Sequence, residues 1–220
     1  MGTLSASILA ADLARLADQV KLIEDHAEVI HIDVMDAHLV PPLTIGPVVV
    51  AALRPLTERV LHGHLLVETP ETFFDELTDA GLDLVSFHHE AVADPAPVIA
   101  KARGAGMRVG MALDVETAVT AVFPYLDELD DVALMSVHPG RAGQELDPEV
   151  YPRLEAMRAE VDRRGLTTTI EIEGGVGRHN ARRAIEAGAS VLVAGSAIFG
   201  AADPAAAAQE LAVIARGEAA

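Results

Sequence analysis

Acidic and imidazole side chains recur at the ends of apolar, strand-like runs in this chain of 220 residues. In the run HIDVM, the residues His31, Asp33 and Met35 alternate, so on a strand they share one face. The same alternation in three later runs selects His62 and His64, then Ser86, His88 and Glu90, then Glu171 and Glu173. An unpaired buried ion is costly, so such a cluster needs a partner. Imidazoles and carboxylates suit Zn²⁺, Fe²⁺ or Mn²⁺, and the pattern predicts a divalent-metal site.

The competing interpretation is that each histidine is a hydrogen-bonded core residue. For any single inward-facing histidine we would prefer that interpretation. Four strand ends that carry the same chemistry favour the metal site.

Two small-residue pairs follow the last two strand-like runs. Gly174 and Gly175 come after one run, and Gly195 and Ser196 come after the next and open a short helical stretch, SAIF. Glycine lets backbone N–H groups approach an anion closely, and helix N-termini favour phosphate. One such pair is weak evidence because left-handed turns also select glycine, but two adjacent pairs predict a phosphate site.

Alternating strands and helices must position the residues of the predicted metal and phosphate sites. The predicted strands are 3–9, 28–35, 59–66, 82–88, 107–113, 132–138, 167–173 and 190–194. Amphipathic stretches between and after them predict helices at 11–25, 70–80, 94–105, 148–164, 179–187 and 204–216, with Thr69 and Asp94 as N-caps before prolines. Eight strands alternating with helices predict an α/β fold, a single-domain (β/α)8 TIM barrel over residues 1–220. An open doubly wound sheet is less favoured because no strand precedes a G-x-G-x-x-G turn.

Composition limits the partners. The formal net charge of −18 disfavours nucleic acid and anionic lipid as partners. Without a signal-like N-terminus or a long apolar run, we expect a cytoplasmic protein that does not bind membranes. Cysteine is absent, which excludes disulfides and thiolate chemistry. The only lysines, Lys21 and Lys101, fall on predicted helices, so a strand-borne Schiff-base lysine is missing. A metal beside a phosphate site suggests a small phosphorylated sugar.

From Ser5 to about Gly200 the chain resembles the ribulose-phosphate 3-epimerase family. The motifs that carry the resemblance are SASILAADLARL, HIDVMDAHLVP, HGHLL, FHHEA, LMSVHPGRAGQEL, EIEGGV and VAGSAIFG, in that order. The resemblance implies a barrel enzyme that interconverts D-ribulose 5-phosphate and D-xylulose 5-phosphate. In that family, two acids move a proton at C3 through an enediolate stabilised by one divalent metal ion.

The resemblance also implies roles for individual residues. Asp33 and Glu173 would be the catalytic acid and base, and the metal ligands would be His31, Asp33, His64 and Glu173. The expected substrate contacts are Ser7, Met35, His64, Met135, Gly140, Gly143, Gly174, Gly175, Gly195 and Ser196. The loop from His138 to Leu146 would close over the substrate. The metal would be Zn²⁺, Fe²⁺, Mn²⁺ or Co²⁺, and a homo-oligomer is expected.

Several positions depart from the family pattern. Glu173 stands in place of an aspartate, and His62 in place of an aspartate before the third-strand histidine. The other departures are Ala37 for glycine, Pro42 for asparagine, Leu66 for methionine, Val115 for proline, and Arg141 and Ala142 for an aromatic residue and a glycine. We hypothesise that His62 pairs with Glu171. These changes leave open a related substrate such as allulose 6-phosphate, another phosphorylated substrate, or a non-catalytic paralogue that binds metal or phosphosugar.

Overall fold

Eight parallel strands close into a barrel in the computed structural model, which describes residues 2–141 and 143–218. The strands pair in chain order, and the last pairs with the first. They are β1 (Thr3–Ser7), β2 (Val29–Met35), β3 (Val60–Leu66), β4 (Leu84–His88), β5 (Arg108–Leu113), β6 (Asp131–Met135), β7 (Thr169–Glu173) and β8 (Val191–Ala194). The predicted barrel is therefore confirmed. The assignment of residues 1–220 to one domain stays a prediction, and Met1, Ala142, Ala219 and Ala220 lie outside the described residues.

Helices cover the outside of the barrel. They are α1 (Leu16–Ile23), α2 (Pro47–Leu53), α3 (Phe74–Asp79), α4 (Pro95–Gly104), α5 (Val150–Arg164), α6 (Arg178–Glu186), α7 (Ser196–Phe199) and α8 (Pro204–Ala215). Asp94 caps α4 as predicted, because its carboxylate accepts a hydrogen bond from the backbone N–H of Ala96 at 3.1 Å. The predicted cap at Thr69 is wrong: its side chain does not cap, and a 3₁₀ turn at Pro70–Thr72 precedes α3.

Two of the predicted strands extend too far at their C-terminal ends. The chain leaves β1 at Ser7 because a 3₁₀ turn occupies Ile8–Ala10, and β6 ends at Met135 rather than at residue 138. Between β5 and β6 the described connection forms 3₁₀ turns, at Val119–Ala121 and Phe123–Glu128. Ile8 and Leu9 continue the apolar run after β1, and Val137 does so after β6, which is why strand-like composition alone overestimates strand length.

The alternation along each strand separates two environments. In β2, Ile30, Ile32 and Val34 belong to the main core between sheet and helices, where a buried aliphatic side chain contributes about 1.5–3 kcal/mol. His31 and Asp33 point instead to the barrel interior and are also buried. The parallel register aligns His31 with His62 and Asp33 with His64, so the two members of each pair lie at the same depth in the barrel. Among the described helices, none is long and apolar enough to cross a membrane.

Candidate active site and metal centre

Four of the predicted residues converge at the C-terminal mouth of the barrel. His31 and Asp33 come from β2, His64 from β3 and Glu173 from β7. His31 Nε2 lies 3.5 Å from Asp33 Oδ1 and 3.4 Å from Glu173 Oε2. His64 Nδ1 lies 3.5 Å from Asp33 Oδ1 and 3.0 Å from Glu173 Oε2. One potential ligand atom from each residue therefore belongs to a single compact group.

The donor atoms of this group fit a metal ion. His31 Nε2, His64 Nδ1 and Glu173 Oε2 are buried, and none has a hydrogen-bond partner among the described residues. Unsatisfied buried polar atoms are costly, so atoms that face one another in this way need a shared partner. Around a tetrahedral Zn²⁺ with bonds of about 2.0 Å, neighbouring ligand atoms are about 3.3 Å apart. The spacings in this group match that value.

Surrounding residues orient the candidate ligand side chains. The two ring atoms His64 Nε2 and His88 Nε2 lie 2.9 Å apart, and His88 Nδ1 lies 3.2 Å from Glu90 Oε2. The Ser7 hydroxyl donates to Asp33 Oδ2 at 2.7 Å. Fixing the second nitrogen of a ligating histidine sets the direction of the first. The alternation in SFHHE marked His88 and Glu90 as inward-facing. Only the fold shows that His88 contacts His64 and that Glu90 in turn contacts His88.

Burial and opposite charges compete in setting the pKa values of this group. Burial alone would raise the pKa of Asp33, but the adjacent His31 and His64 outweigh it and hold that pKa well below its ordinary value. Burial also opposes ionisation of Glu173, yet His64 and His31 lower its pKa to about 2. Burial would lower the pKa of His64, but Glu173 and Asp33 raise it to about 9. The positive charge of the histidines thus balances the negative charge of the two carboxylates, as a divalent cation in the same place would.

A second group lies one layer deeper. It consists of His31, His62 and Glu171, whose potential ligand atoms are also close together. Because His31 belongs to both groups, its Nε2 faces the upper carboxylates of Asp33 and Glu173, and its Nδ1 lies 3.9 Å from Glu171 Oε1 in the deeper layer. These contacts place Glu171 one layer below Glu173.

The cavity above the four candidate ligands has a volume of about 620 Å³, counting the part open to solvent. Most of the predicted substrate contacts line it: Ser7, Met35, Met135, Gly140, Gly143, Gly174, Gly175, Gly195 and Ser196. His64 is buried beside the cavity without lining it. Further residues that line the cavity include Leu9, Leu66, Val137, Arg141, Gln144 and Val176. The sequence analysis assigned none of them a role in the site, although Leu66 and Arg141 were noted as departures from the family pattern.

The glycine pair after β7 adopts backbone conformations that require glycine. Gly174 and Gly175 have φ values of 103° and 63°. A Cβ at Gly174 would lie 2.6 Å from Val137 Cγ2, and one at Gly175 would lie 2.6 Å from the backbone oxygen of Gln144. Bare backbone therefore faces the cavity here, beside Ser196 at the start of α7. This arrangement suits an anion.

The remaining departures take ordinary places in the fold. Pro42 packs near Gly140, since a Cβ on that glycine would lie 3.4 Å from Pro42 Cδ. Leu66 packs with Met35 and Val40 in a small apolar cluster above the site. Arg141 lines the cavity, whereas Ala142 lies outside the described residues.

Known proteins resemble this chain along most of its length. The sequence model of the Ribulose-phosphate 3 epimerase family matches residues 3–199. The ribulose-phosphate 3-epimerase of Synechocystis is 40% identical over 198 residues, covering 89% of this chain and 86% of that protein. The enzyme of the same name from Bacillus subtilis is 41% identical over 199 residues, covering 90% and 92%.

Solved structures support the fold alone. The 3-hexulose-6-phosphate synthase of Salmonella typhimurium superposes with a TM-score of 0.72 at 20% identity, covering 99% of this chain and 100% of that one. The orotidine 5'-phosphate decarboxylase of Pyrococcus horikoshii has a TM-score of 0.70 at 18% identity, covering 97% and 99%. At these identities the likeness reports the barrel and not the reaction.

Proposed function

The chain belongs to the ribulose-phosphate 3-epimerase family, and we propose that it interconverts D-ribulose 5-phosphate and D-xylulose 5-phosphate by inverting C3. The observation that carries this proposal is the position of Asp33 and Glu173. The two carboxylates line one cavity and come from different strands, next to two buried histidines.

His31, Asp33, His64 and Glu173 would hold one divalent metal ion, and their unsatisfied donor atoms support this assignment. When bound, the ion supplies positive charge beside the substrate oxygens on which negative charge develops. The nitrogen and oxygen donors are compatible with Zn²⁺, Fe²⁺, Mn²⁺ or Co²⁺.

The two carboxylates carry the proton transfer. One of them takes the C3 proton from one face of the sugar, which leaves an enediolate across C2 and C3. The other, in its protonated form, gives a proton to the opposite face of C3 and completes the inversion. Ser7 donates to Asp33 Oδ2 and so fixes the orientation of that carboxylate during the transfer.

The walls of the cavity position the substrate. Met35, Leu66 and Met135 present apolar surface beside the carboxylates, which excludes water from the planar intermediate. The backbone of Gly174, Gly175 and Gly195, with Ser196, would bind the phosphate and fix the distance from it to C3.

Exchange of the C3 hydrogen with solvent deuterium tests the proposal. Wild-type protein with bound metal is expected to exchange this hydrogen in ribulose 5-phosphate in D₂O and to form xylulose 5-phosphate, both followed by NMR. Glu173→Gln is expected to abolish exchange, whereas Glu171→Gln, one layer deeper, keeps measurable exchange. Bound metal without exchange on any ketose phosphate would contradict an epimerase. Faster exchange on allulose 6-phosphate would reassign the substrate.

A homo-oligomer and a cytoplasmic location also remain proposals. Two exposed apolar side chains, Leu43 and Val48, support self-association, since they are 78% and 84% accessible in the single chain. Light scattering of the purified protein tests the oligomer: a monomeric mass at micromolar concentration would contradict it.

A further inference from the structure

The cavity has an uneven distribution of charge. Among the described residues that line it, the charged side chains are Asp33, Glu173 and Arg141. Asp33 and Glu173 belong to the candidate metal centre. Arg141 is therefore the one cationic side chain in the described lining, and it comes from the loop after β6.

Arg141 has no competing anion nearby. Within residues 2–141 and 143–218, no carboxylate oxygen lies within 4.0 Å of its guanidinium, whereas Arg158, Arg163 and Arg164 each have such a partner. Its guanidinium is thus available to a ligand in the cavity.

The loop that carries Arg141 is tied to the glycine pair. The Gln144 side-chain amide donates to the backbone oxygens of His138 at 2.9 Å and Arg141 at 3.0 Å. The backbone of Gln144 in turn packs against Gly175, where no Cβ fits. Gln144 therefore holds the backbone of Arg141 with its side chain and contacts Gly175 with its own backbone.

A phosphate group in this cavity needs positive charge. The glycine backbone offers neutral N–H donors, and the chain as a whole has a net charge of −18. A sugar phosphate carries up to two negative charges near neutral pH, and the surrounding protein potential repels it. An arginine fork bonds two phosphate oxygens at once and compensates that repulsion better than backbone donors alone.

We propose that Arg141 binds the phosphate of the substrate together with the glycine backbone and makes the enzyme selective for phosphorylated over unphosphorylated ketoses. This inference rests on the proposed function, since it concerns the same cavity. It adds a substrate-binding side chain whose charge, rather than its shape, determines which sugars are accepted.

Kinetics and phosphate binding of Arg141→Gln test the inference. We expect kcat/KM for ribulose 5-phosphate to fall about 10- to 100-fold, mostly through KM, because a hydrogen-bonded charge pair is lost. The dissociation constant of inorganic phosphate, measured by calorimetry, is expected to rise by a similar factor. C3 exchange on unphosphorylated D-ribulose is expected to stay unchanged. Arg141→Lys, which keeps the charge without the fork, should fall between wild type and Arg141→Gln.

Arg108→Gln is the matched control. Arg108 is exposed at the start of β5, at the opposite end of the barrel, and its replacement changes the net charge equally. It is expected to leave both phosphate binding and kcat/KM at the wild-type level. An unchanged phosphate dissociation constant in Arg141→Gln, or an equal loss on D-ribulose, would overturn the inference. Phosphate binding is measured without turnover, so a wild-type protein inactive on ribulose 5-phosphate would refute the proposed function and leave this test intact.

Discussion

His62 Nδ1 lies 3.5 Å from Glu171 Oε2 inside the barrel, and both side chains are buried. The other ring nitrogen, His62 Nε2, lies 2.8 Å from the Ser86 hydroxyl, which fixes the ring. Burial and the nearby His31 lower the pKa of His62 to about 3, so the ring is neutral near pH 7. His62 therefore faces Glu171 as a neutral neighbour, and Glu171 in turn lies 3.9 Å from His31 Nδ1.

Removing His62 should weaken both the fold and the metal site. His62→Ala leaves the buried Glu171 carboxylate without this neighbour, and we expect a loss of about 1–3 kcal/mol in the free energy of unfolding. Because Glu171 lies behind His31, a candidate metal ligand, we also expect metal affinity to fall about 10- to 100-fold. Urea unfolding and chelator competition measure the two effects. His89→Ala, which removes a histidine outside the barrel interior, is the control, and equal values for both variants would contradict the pairing.

The reach of Glu173 determines whether the metal site is complete. Glu173 Oε2 lies 3.0 Å from His64 Nδ1 on the present backbone, so the longer side chain places its oxygen among the candidate ligand atoms. Aspartate at this position would hold its carboxylate about 1.5 Å further back. We expect Glu173→Asp to weaken metal binding and to lower kcat/KM about 10- to 100-fold, since misplacement by about 1 Å has costs of this order.

Glu171→Asp provides the comparison for this substitution, because it makes the same change one layer deeper. It should lower kcat/KM less than Glu173→Asp does. Metal content by mass spectrometry and C3 exchange are the measurements. A Glu173→Asp protein with wild-type metal affinity and higher activity would show that glutamate is a poor substitute here.

Periodicity was sufficient to predict which side chains face the barrel interior, and the family resemblance selected the expected ligands among them. His31, Asp33, His64 and Glu173 alternate with aliphatic residues, and parallel pairing brings strand ends to one edge of the barrel. The glycine turns were also visible, because Gly174 and Gly175 adopt positive φ values that few other residues tolerate.

Contacts that depend on strand register or on loop packing could not be predicted in the same way. The stacking of His88 on His64 depends on the register of β3 and β4, and the position of Arg141 depends on how one loop packs against another. The boundary of β6 was missed because the small Ser136 and the apolar Val137 continue a strand-like composition after the strand has ended. The alternation of side chains indicates which face of a strand a residue occupies, but it does not indicate where hydrogen bonding to the neighbouring strand ends.

Ala37 is strained by its backbone. It has a φ of 63°, in the left-handed region, and is the only described non-glycine residue with a positive φ. A side chain there costs about 1–2 kcal/mol, part of which is offset by the lower entropy of alanine in the unfolded chain. We therefore expect Ala37→Gly to raise the free energy of unfolding by about 0.5–1 kcal/mol in urea denaturation. Ala51→Gly, at an exposed position within α2, should lower it by about 0.5–1 kcal/mol. Destabilisation by both substitutions would contradict the strain.

Glu90 makes the stability of the loops around His88 depend on pH. Burial alone would raise its pKa, but hydrogen bonds from His88, Thr117 and the backbone N–H of Asp114 lower it from 4.5 to about 2. A carboxyl group whose pKa is lower in the folded state stabilises the fold above the unfolded value, and the gain is lost as the pH falls from about 4.5 towards 2. The group is partly exposed, so the contribution at neutral pH is about 1–2 kcal/mol.

Glu90→Gln should therefore be less stable than wild type at pH 7 by about 1–2 kcal/mol, and the difference should shrink as the pH falls below 4.5. Urea unfolding of both proteins between pH 7 and pH 3 measures this difference. Glu116→Gln removes the same charge from the neighbouring loop and is expected to change stability by less than about 0.5 kcal/mol. A Glu90→Gln difference that stays constant across this range would mean that shape, and not charge, accounts for the contribution of Glu90. Since His88 lies between Glu90 and His64, the metal affinity of the same variant reports whether the loop contacts hold His88 behind this candidate metal ligand.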